Sequence, residues 1–148
     1  LTQPLPFTPF KDFTGRSINE INLYSTEMSS ALCSIDRVSA SANMNNRLSE
    51  AIVEAYKSTN GTPISFELML KCYQSRMKDA NNDDSISSVL KQLVNAHIFE
   101  SEDKVSLIDD SYIIKMDGYP KDGPIAKAIV YFLMSKLNNI YELWINKQ

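Results

Sequence analysis

The chain has 148 residues and a mass of 16.7 kDa, the length of one domain that buries roughly 68–70% of its unfolded surface. Hydrophobic residues make up 43% and charged residues 22%, which does not fit a disordered, collagen-like or disulfide-rich protein. The net charge of −3 argues against a general nucleic-acid binder, because such affinity comes from clustered positive charge. One histidine and two cysteines supply little material for metal or nucleophilic chemistry.

The longest apolar run, residues 128–134, is far shorter than the roughly 20 residues of a membrane-spanning helix, so we expect a soluble protein. The first residues lack an initiator methionine and the features of a signal peptide, which favours a domain taken from a longer chain. Without a secretory context, Cys33 and Cys72 are expected to stay reduced inside the cell. Residues 60–62 match a glycosylation sequon, but Asn-Gly is first of all a turn signal.

Residues 1–16 are predicted to form an extended arm, because three prolines prevent a regular helix or a central strand. Phe7, Phe10 and Phe13 recur along it at intervals of three residues. Aromatic side chains at this spacing need an apolar surface to lie on, either the core of this domain or a partner. The three phenylalanines are therefore candidate core residues and candidate partner-binding residues.

Helical spacing of apolar residues predicts four helices in the first two thirds of the chain. We place them near residues 18–35, 44–58, 66–78 and 85–97. Polar turns separate these helices. Residues that favour the N-cap position precede three of them, namely Ser17, Ser65 and either Asp84 or Ser85.

Between residues 98 and 117 apolar and polar residues alternate, which is the period of short antiparallel strands. The apolar positions are Ile98, Phe99, Val105, Leu107, Tyr112, Ile114 and Met116. Three helices followed by a strand pair is the order of a winged helix, a helix-turn-helix core with a β-hairpin wing. We therefore predict a single, mostly α-helical domain over residues 17–148, with a small β-hairpin and a winged-helix core at 44–117.

Three stretches carry the apolar spacing of this core: Pro63-Ile-Ser-Phe-Glu-Leu-Met-Leu-Lys-Cys-Tyr73, Val89-Leu-Lys-Gln-Leu-Val-Asn-Ala-His-Ile98 and Asp109-Asp-Ser-Tyr-Ile113. Together they resemble the C-terminal winged helix of the AAA+ replication initiators, which include the origin recognition complex subunits. The resemblance covers about residues 44–117 and implies a nuclear protein of DNA replication or chromatin. The Walker phosphate loop of that family's AAA+ part is absent from this sequence, so ATP binding of that kind is not expected.

The resemblance places the helix at 85–97 where a DNA-reading helix would lie. Its outward residues would be Ser87, Ser88, Lys91, Gln92 and Asn95. Gln92 and Asn95 would then read adenine edges, and Lys91 a guanine or a phosphate. Between residues 79 and 110, however, eight acidic side chains stand against two lysines and would repel phosphates. We therefore favour protein docking and keep a sequence-reading DNA-binding domain as the alternative.

Catalysis and metal binding find little support in the sequence. His97, the single histidine, ends an apolar helical stripe, where a histidine packs or caps more often than it binds a metal. The paired acids at 83–84 and 109–110 lie in turns, where such residues cap helices or are solvated. We predict a protein that is not an enzyme and that uses no cofactor, metal or small-molecule substrate.

A last helix is predicted at residues 124–146, with a proline in its first turn. It is apolar on more than one side, since Val130, Met134 and Leu143 lie off its main stripe. One side is expected to pack on the winged helix. The other is expected to pack on the helix at 18–35, on a second copy of the chain or on another protein.

Tyr141 and Trp144 of this last helix are candidate contact residues, because tyrosine and tryptophan are enriched in interface hot spots. They are expected to contribute either to the stability of the domain or to self-association. The function predicted from the sequence is thus a non-enzymatic interaction module of a nuclear protein, which docks a protein partner or forms a homodimer.

Overall fold

A computed structural model describes residues 3–109, 111–115 and 117–147 of the chain. These residues form five α-helices: α1 (Ile18–Cys33), α2 (Ala42–Ser58), α3 (Phe66–Ser75), α4 (Ser85–Ala96) and α5 (Gly123–Lys147). Each helix packs against the next one along the chain. The prediction of a mostly helical fold is confirmed, and every helix begins within two residues of the predicted position.

Side-chain caps fix where the first four helices begin. In each case the capping oxygen accepts a hydrogen bond from a free backbone N–H of the first turn, and the caps are Ser17, Ser41, Ser65 and Asp84. A cap of this kind contributes about 1 kcal/mol to stability. The predicted caps at Ser17 and Ser65 are confirmed, and of the two candidates for α4 it is Asp84 that serves.

Residues 5–13 of the N-terminal arm pack against the rest of the domain. Phe7, Phe10 and Phe13 are each only 2% exposed, so the arm packs on the core of its own chain. The ring of Phe10 lies between Phe66 of α3 and Phe132 of α5, with centroid distances of 4.9 and 5.5 Å. The arm therefore acts as an interior layer that joins α5 to the rest of the domain.

The predicted turn at residues 60–62 is confirmed, and it brings the arm close to the end of α2. Asn60 and Gly61 both have left-handed backbone angles, with φ of 53° and 87°. The Phe13 N–H donates a hydrogen bond of 2.7 Å to the Gly61 carbonyl. A Cβ atom on Gly61 would stand 2.8 Å from the Phe13 carbonyl oxygen, so only glycine allows this approach.

The predicted β-hairpin is wrong. The described residues contain no strand, and between α4 and α5 the chain runs as turns and irregular backbone. Met116, one of the predicted strand positions, lies outside the described residues. Without the hairpin the three central helices have no wing, so the winged-helix architecture predicted for residues 44–117 is corrected to a purely helical one.

The arm forms backbone hydrogen bonds with the start of the segment in which the hairpin was predicted. An isolated parallel bridge joins Leu5 to Phe99. The Leu5 N–H donates to the Ile98 carbonyl over 2.7 Å, and the Leu5 carbonyl accepts from the Glu100 N–H over 3.0 Å. These hydrogen bonds occupy one edge of residues 98–100, so the start of the alternating segment pairs with the arm.

Candidate interaction surface

An uncovered apolar stripe runs along the outer face of α5. Its members follow one another at intervals of four, three, four and three residues: Val130, Met134, Leu137, Tyr141 and Trp144. Each of the five residues is between 47% and 60% exposed. Alternating intervals of three and four place all five on one side of a helix and are the repeat of a coiled-coil seam. We call this set the α5 stripe.

The opposite face of α5 packs into the core, where Ile129 and Phe132 are fully buried. A third side of α5 faces α1 with polar and aromatic groups, among them Tyr131 and Ser135 opposite Tyr24. The expectation that α1 covers the second apolar side is therefore wrong. The α5 stripe points away from both the core and α1.

Every charged residue of α5 lies off the stripe and forms an ion pair within the chain. The pairs are Lys127–Asp36 at 2.8 Å, Lys136–Asp103 at 2.8 Å, Glu142–Lys11 at 3.5 Å and Lys147–Asp109 at 3.1 Å. The hydrogen bond from Lys127 lowers the pKa of Asp36 below its usual value. No charge interrupts the α5 stripe between its first and last members.

Tyr141 and Trp144, the two candidate contact residues, lie together at the surface. Their rings stack with a centroid distance of 6.4 Å and an angle of 27° between planes. Residues 141–147 are exposed on all sides of the helix. The pair therefore forms a prearranged aromatic surface, of the kind that dominates contacts between proteins.

The size of the α5 stripe can be estimated from its length and exposure. Fourteen helical steps make it about 21 Å long. With large side chains counted at roughly 150–250 Å² each, the exposed apolar area is on the order of 500 Å². The largest apolar patch on a soluble monomer typically measures roughly 300–600 Å² and is often functional, and the α5 stripe falls in that range.

The arm contributes nothing to this surface. Phe7, Phe10 and Phe13 were candidates for the core and for a partner, and the structure places them in the core. A partner could reach their rings only if the arm left its place between α3 and α5. The α5 stripe is thus the apolar surface that a partner meets first.

The candidate DNA-reading residues lie on α4, but they do not form a basic surface. The Lys91 ammonium is held by Asp83 at 2.8 Å, while Gln92 and Asn95 are exposed. The prediction that Ser87 faces outward is wrong, because its hydroxyl completes the cap at the start of α4 and is buried. DNA reading by Lys91, Gln92 and Asn95 stays a prediction.

His97 ends α4 in the left-handed conformation, with φ of 48°, and its side chain is exposed. The prediction that it lines the buried side of the helix is therefore wrong, whereas its role at the helix end is confirmed. Among the residues that the structure describes, no group of three His, Cys, Asp or Glu side chains is arranged to hold a metal ion.

One buried charged side chain, that of Lys136, was not predicted from the sequence. Lys136 is only 5% exposed, and its ammonium donates to both carboxylate oxygens of Asp103, at 2.8 and 3.0 Å. The same carboxylate accepts a hydrogen bond of 3.0 Å from the Thr8 N–H of the arm. The signal in the sequence is position, since Lys136 falls on the same side of α5 as the buried Ile129 and Phe132.

An open groove of about 730 Å³ lies beside this ion pair, between the arm, residues 101–108 and the C-terminal half of α5. Its buried ammonium is already neutralised by Asp103. In the described part of the chain no buried side-chain nitrogen or oxygen lacks a hydrogen-bond partner. The groove therefore shows no group that awaits a ligand.

Cys33 and Cys72 are free thiols in the structure. Burial raises the pKa of both to about 11, and nearby carboxylates, Asp84 and Glu54 respectively, add to the shift. Because the thiolate is the reactive form, neither cysteine has the properties of a nucleophile near neutral pH.

Asp84 connects three helices. One of its carboxylate oxygens caps α4, and the other accepts hydrogen bonds from the Tyr73 hydroxyl at 2.5 Å and from Arg47 at 3.1 Å. Arg47 belongs to α2 and Tyr73 to α3. Burial, and after it the hydrogen bond to Asp84, raise the pKa of Tyr73. The hydroxyl is therefore a donor at every physiological pH.

We expect Asp84→Ala to lower the free energy of unfolding by about 1–3 kcal/mol, because the cap is lost and the Arg47 and Tyr73 donors lose their acceptor. Urea unfolding followed by circular dichroism measures the change. Asp117→Ala removes an exposed acid from the loop between α4 and α5 and serves as the matched control. Equal unfolding midpoints for the two variants would contradict a structural role for Asp84.

Comparison of the chain with models of protein families, with curated proteins and with solved structures found no match. None of the described helices has both the length and the apolar character that crossing a membrane requires. The α5 stripe is a surface feature that packing among the described residues does not explain.

Proposed function

We propose that this chain is a protein-interaction module that binds an amphipathic α-helix along the α5 stripe. The observation that carries the proposal is the series of exposed apolar side chains from Val130 to Trp144, on a helix whose charges are all paired elsewhere. Burial of apolar area at about 25 cal/mol per Å² provides the driving force, from which the entropic cost of association is subtracted.

The shape of the stripe favours a helix as the bound element. It is about one side chain wide and repeats on average every 3.5 residues, as a coiled-coil seam does. A partner helix with the same repeat inserts its side chains between those of α5 along the full length. An extended strand presents side chains at a period of two and does not match this spacing.

The predicted setting in a nuclear protein of DNA replication or chromatin depends on the resemblance of residues 44–117 to the initiator family. The helical part of that region is present, but the hairpin that completed the resemblance does not occur among the described residues. We keep the nuclear setting as a proposal that rests on the helical part alone. Helix binding by α5 does not depend on it.

A labelled peptide with the sequence of residues 123–147 tests the proposal when its core-facing Ile129 and Phe132 are replaced by glutamine. We expect it to bind the protein saturably. Met134→Glu in the protein is expected to weaken binding at least roughly 30-fold, because it places a carboxylate in the seam. Fluorescence anisotropy measures both affinities.

Leu23→Glu is the matched control, because Leu23 on α1 is 62% exposed and Met134 is 60% exposed. It is expected to leave peptide binding unchanged. Equal binding by wild type and Met134→Glu would contradict the proposal. The DNA-reading alternative predicts a different result, namely tight binding to duplex DNA. The affinity would fall steeply with salt, at a slope of about −0.9 per phosphate contact. Lys91→Ala and Gln92→Ala would abolish this binding.

A further inference from the structure

We infer that the helix bound by the α5 stripe is α5 of a second copy of this chain, and that the two helices run antiparallel. The inference rests on the proposed function, since it names the partner that the stripe binds. It assigns a homodimer interface to a face that the described residues of the single chain leave exposed.

The residues beside the stripe favour a second copy over a different partner. In a coiled coil, charges at the flanking positions select partner and orientation. Between residues 130 and 146 none of the positions that flank the α5 stripe is charged. These flanking residues are Tyr131, Leu133, Asn138, Ile140 and Ile145. Two identical copies therefore meet without repulsion between like charges.

Helix dipoles and the shape of the domain favour the antiparallel arrangement. Antiparallel helices bring the positive end of each dipole to the negative end of the other. The buried residues of α5 all lie between positions 126 and 136, whereas each of residues 141–147 is exposed. Pairing the two C-terminal halves in opposite directions lets the stripes overlap and keeps the two domain bodies apart.

The heptad repeat then fixes the contacts. The apolar residues of a heptad occupy two positions, a and d. In an antiparallel pair, an a residue of one helix faces a d residue of the other. In the register that overlaps the exposed halves, Leu137 faces the partner's Tyr141 and Met134 faces the partner's Trp144. Methionine sulfur against an aromatic ring is a favourable contact. Because a two-fold interface repeats every contact, each substitution acts twice.

The area available is sufficient for a dimer of moderate affinity. In this register Met134, Leu137, Tyr141 and Trp144 supply on the order of 400 Å² per copy. Weak or transient specific interfaces bury less than about 600 Å² per partner, and the area available here fits that class. We therefore expect a dimer that forms at micromolar concentrations rather than a permanent one.

Sedimentation equilibrium from about 2 to 200 µM tests the inference. Wild type is expected to approach twice its 16.7 kDa mass as concentration rises. Met134→Glu and Trp144→Lys are each expected to raise the dimer dissociation constant at least roughly 30-fold. The variant that combines both changes is expected to dimerise again, because opposite charges then face each other twice.

Two variants of α1 serve as controls. Leu23→Glu and Ile18→Lys place the same charges on exposed apolar positions of α1 and are expected to leave the dimer unchanged. Circular dichroism verifies that each variant is folded. A wild type that stays monomeric at 200 µM, or a dimer that survives Met134→Glu, overturns the inference. A combined variant that stays monomeric overturns the antiparallel arrangement, since parallel helices would bring like charges together.

The two proposals fail separately. If wild type is monomeric throughout but the labelled α5 peptide binds and Met134→Glu abolishes that binding, the interaction module stands and the homodimer does not. If neither association occurs, both are wrong.

Discussion

Phe10→Ala is expected to lower the free energy of unfolding by about 3–5 kcal/mol, the range measured when a buried phenylalanine is truncated. The Phe10 ring is 2% exposed and packs edge-on against both Phe66 and Phe132. Its removal leaves a cavity between α3, the arm and α5. Chemical denaturation of the wild type and the variant, followed by circular dichroism, measures the loss.

Truncation of an aromatic side chain at the surface provides the comparison. Tyr141→Ala removes an aromatic ring that is 59% exposed, and at protein concentrations too low for self-association we expect it to change stability by less than about 1 kcal/mol. A loss of that small size for Phe10→Ala would show that the arm is dispensable for the fold. It would also reopen the alternative that the phenylalanines of the arm serve a partner.

Asp103→Ala is expected to cost about 2–4 kcal/mol, because it leaves the Lys136 ammonium buried without a counterion and removes an acceptor from the arm. Breaking a fully buried pair costs about 3–5 kcal/mol, and the carboxylate here is half exposed, which reduces the expected loss. Thermal and urea unfolding at neutral pH measure it.

Removing both charges provides the control. Lys136→Met keeps the packing of the long side chain, and we expect it to cost less than Asp103→Ala. The variant that carries both changes is expected to be more stable than Asp103→Ala alone, which a double-mutant cycle quantifies. If Asp103→Ala and the double variant are equally unstable, the buried ammonium does not cause the loss.

The helices were predictable because their signals are local. Apolar spacing and capping residues lie within a few positions of each helix start, and Ser65 and Asp84 mark two starts to the residue. Such signals need no knowledge of the rest of the fold. The same holds for the turn at residues 60–62, where Asn-Gly supplies the left-handed backbone angles.

The pairing partner of the segment after residue 98 was not predictable, because that partner is distant in sequence. Alternation after residue 98 fits a strand, but the Leu5 backbone takes the hydrogen-bonding groups of Ile98 and Glu100. A short-range period shows that a segment is able to pair and does not show with what. In this chain the partner stands more than ninety residues upstream.

The α5 stripe was only partly predictable. The excess of apolar residues on α5 is visible in the sequence, and Val130 and Met134 already stand off the main stripe there. Leu137 and Trp144, however, appear from spacing to belong with the buried Ile129 and Phe132, whereas the structure places them on the exposed side. On a helix that is apolar nearly all round, periodicity does not decide which face the rest of the domain covers.

The place of the arm also governs how the chain folds. Helical domains fold fast when their contacts are local, and α1 to α4 meet this condition because each packs on its neighbour in sequence. The arm does not, since Thr8 bonds to a residue 95 positions away and the Tyr119 hydroxyl bonds to the Gln3 carbonyl across 116 positions. Loops of that length close slowly. Phe10 is therefore synthesised before all five helices of the domain and is covered last, when Phe132 of α5 packs against it.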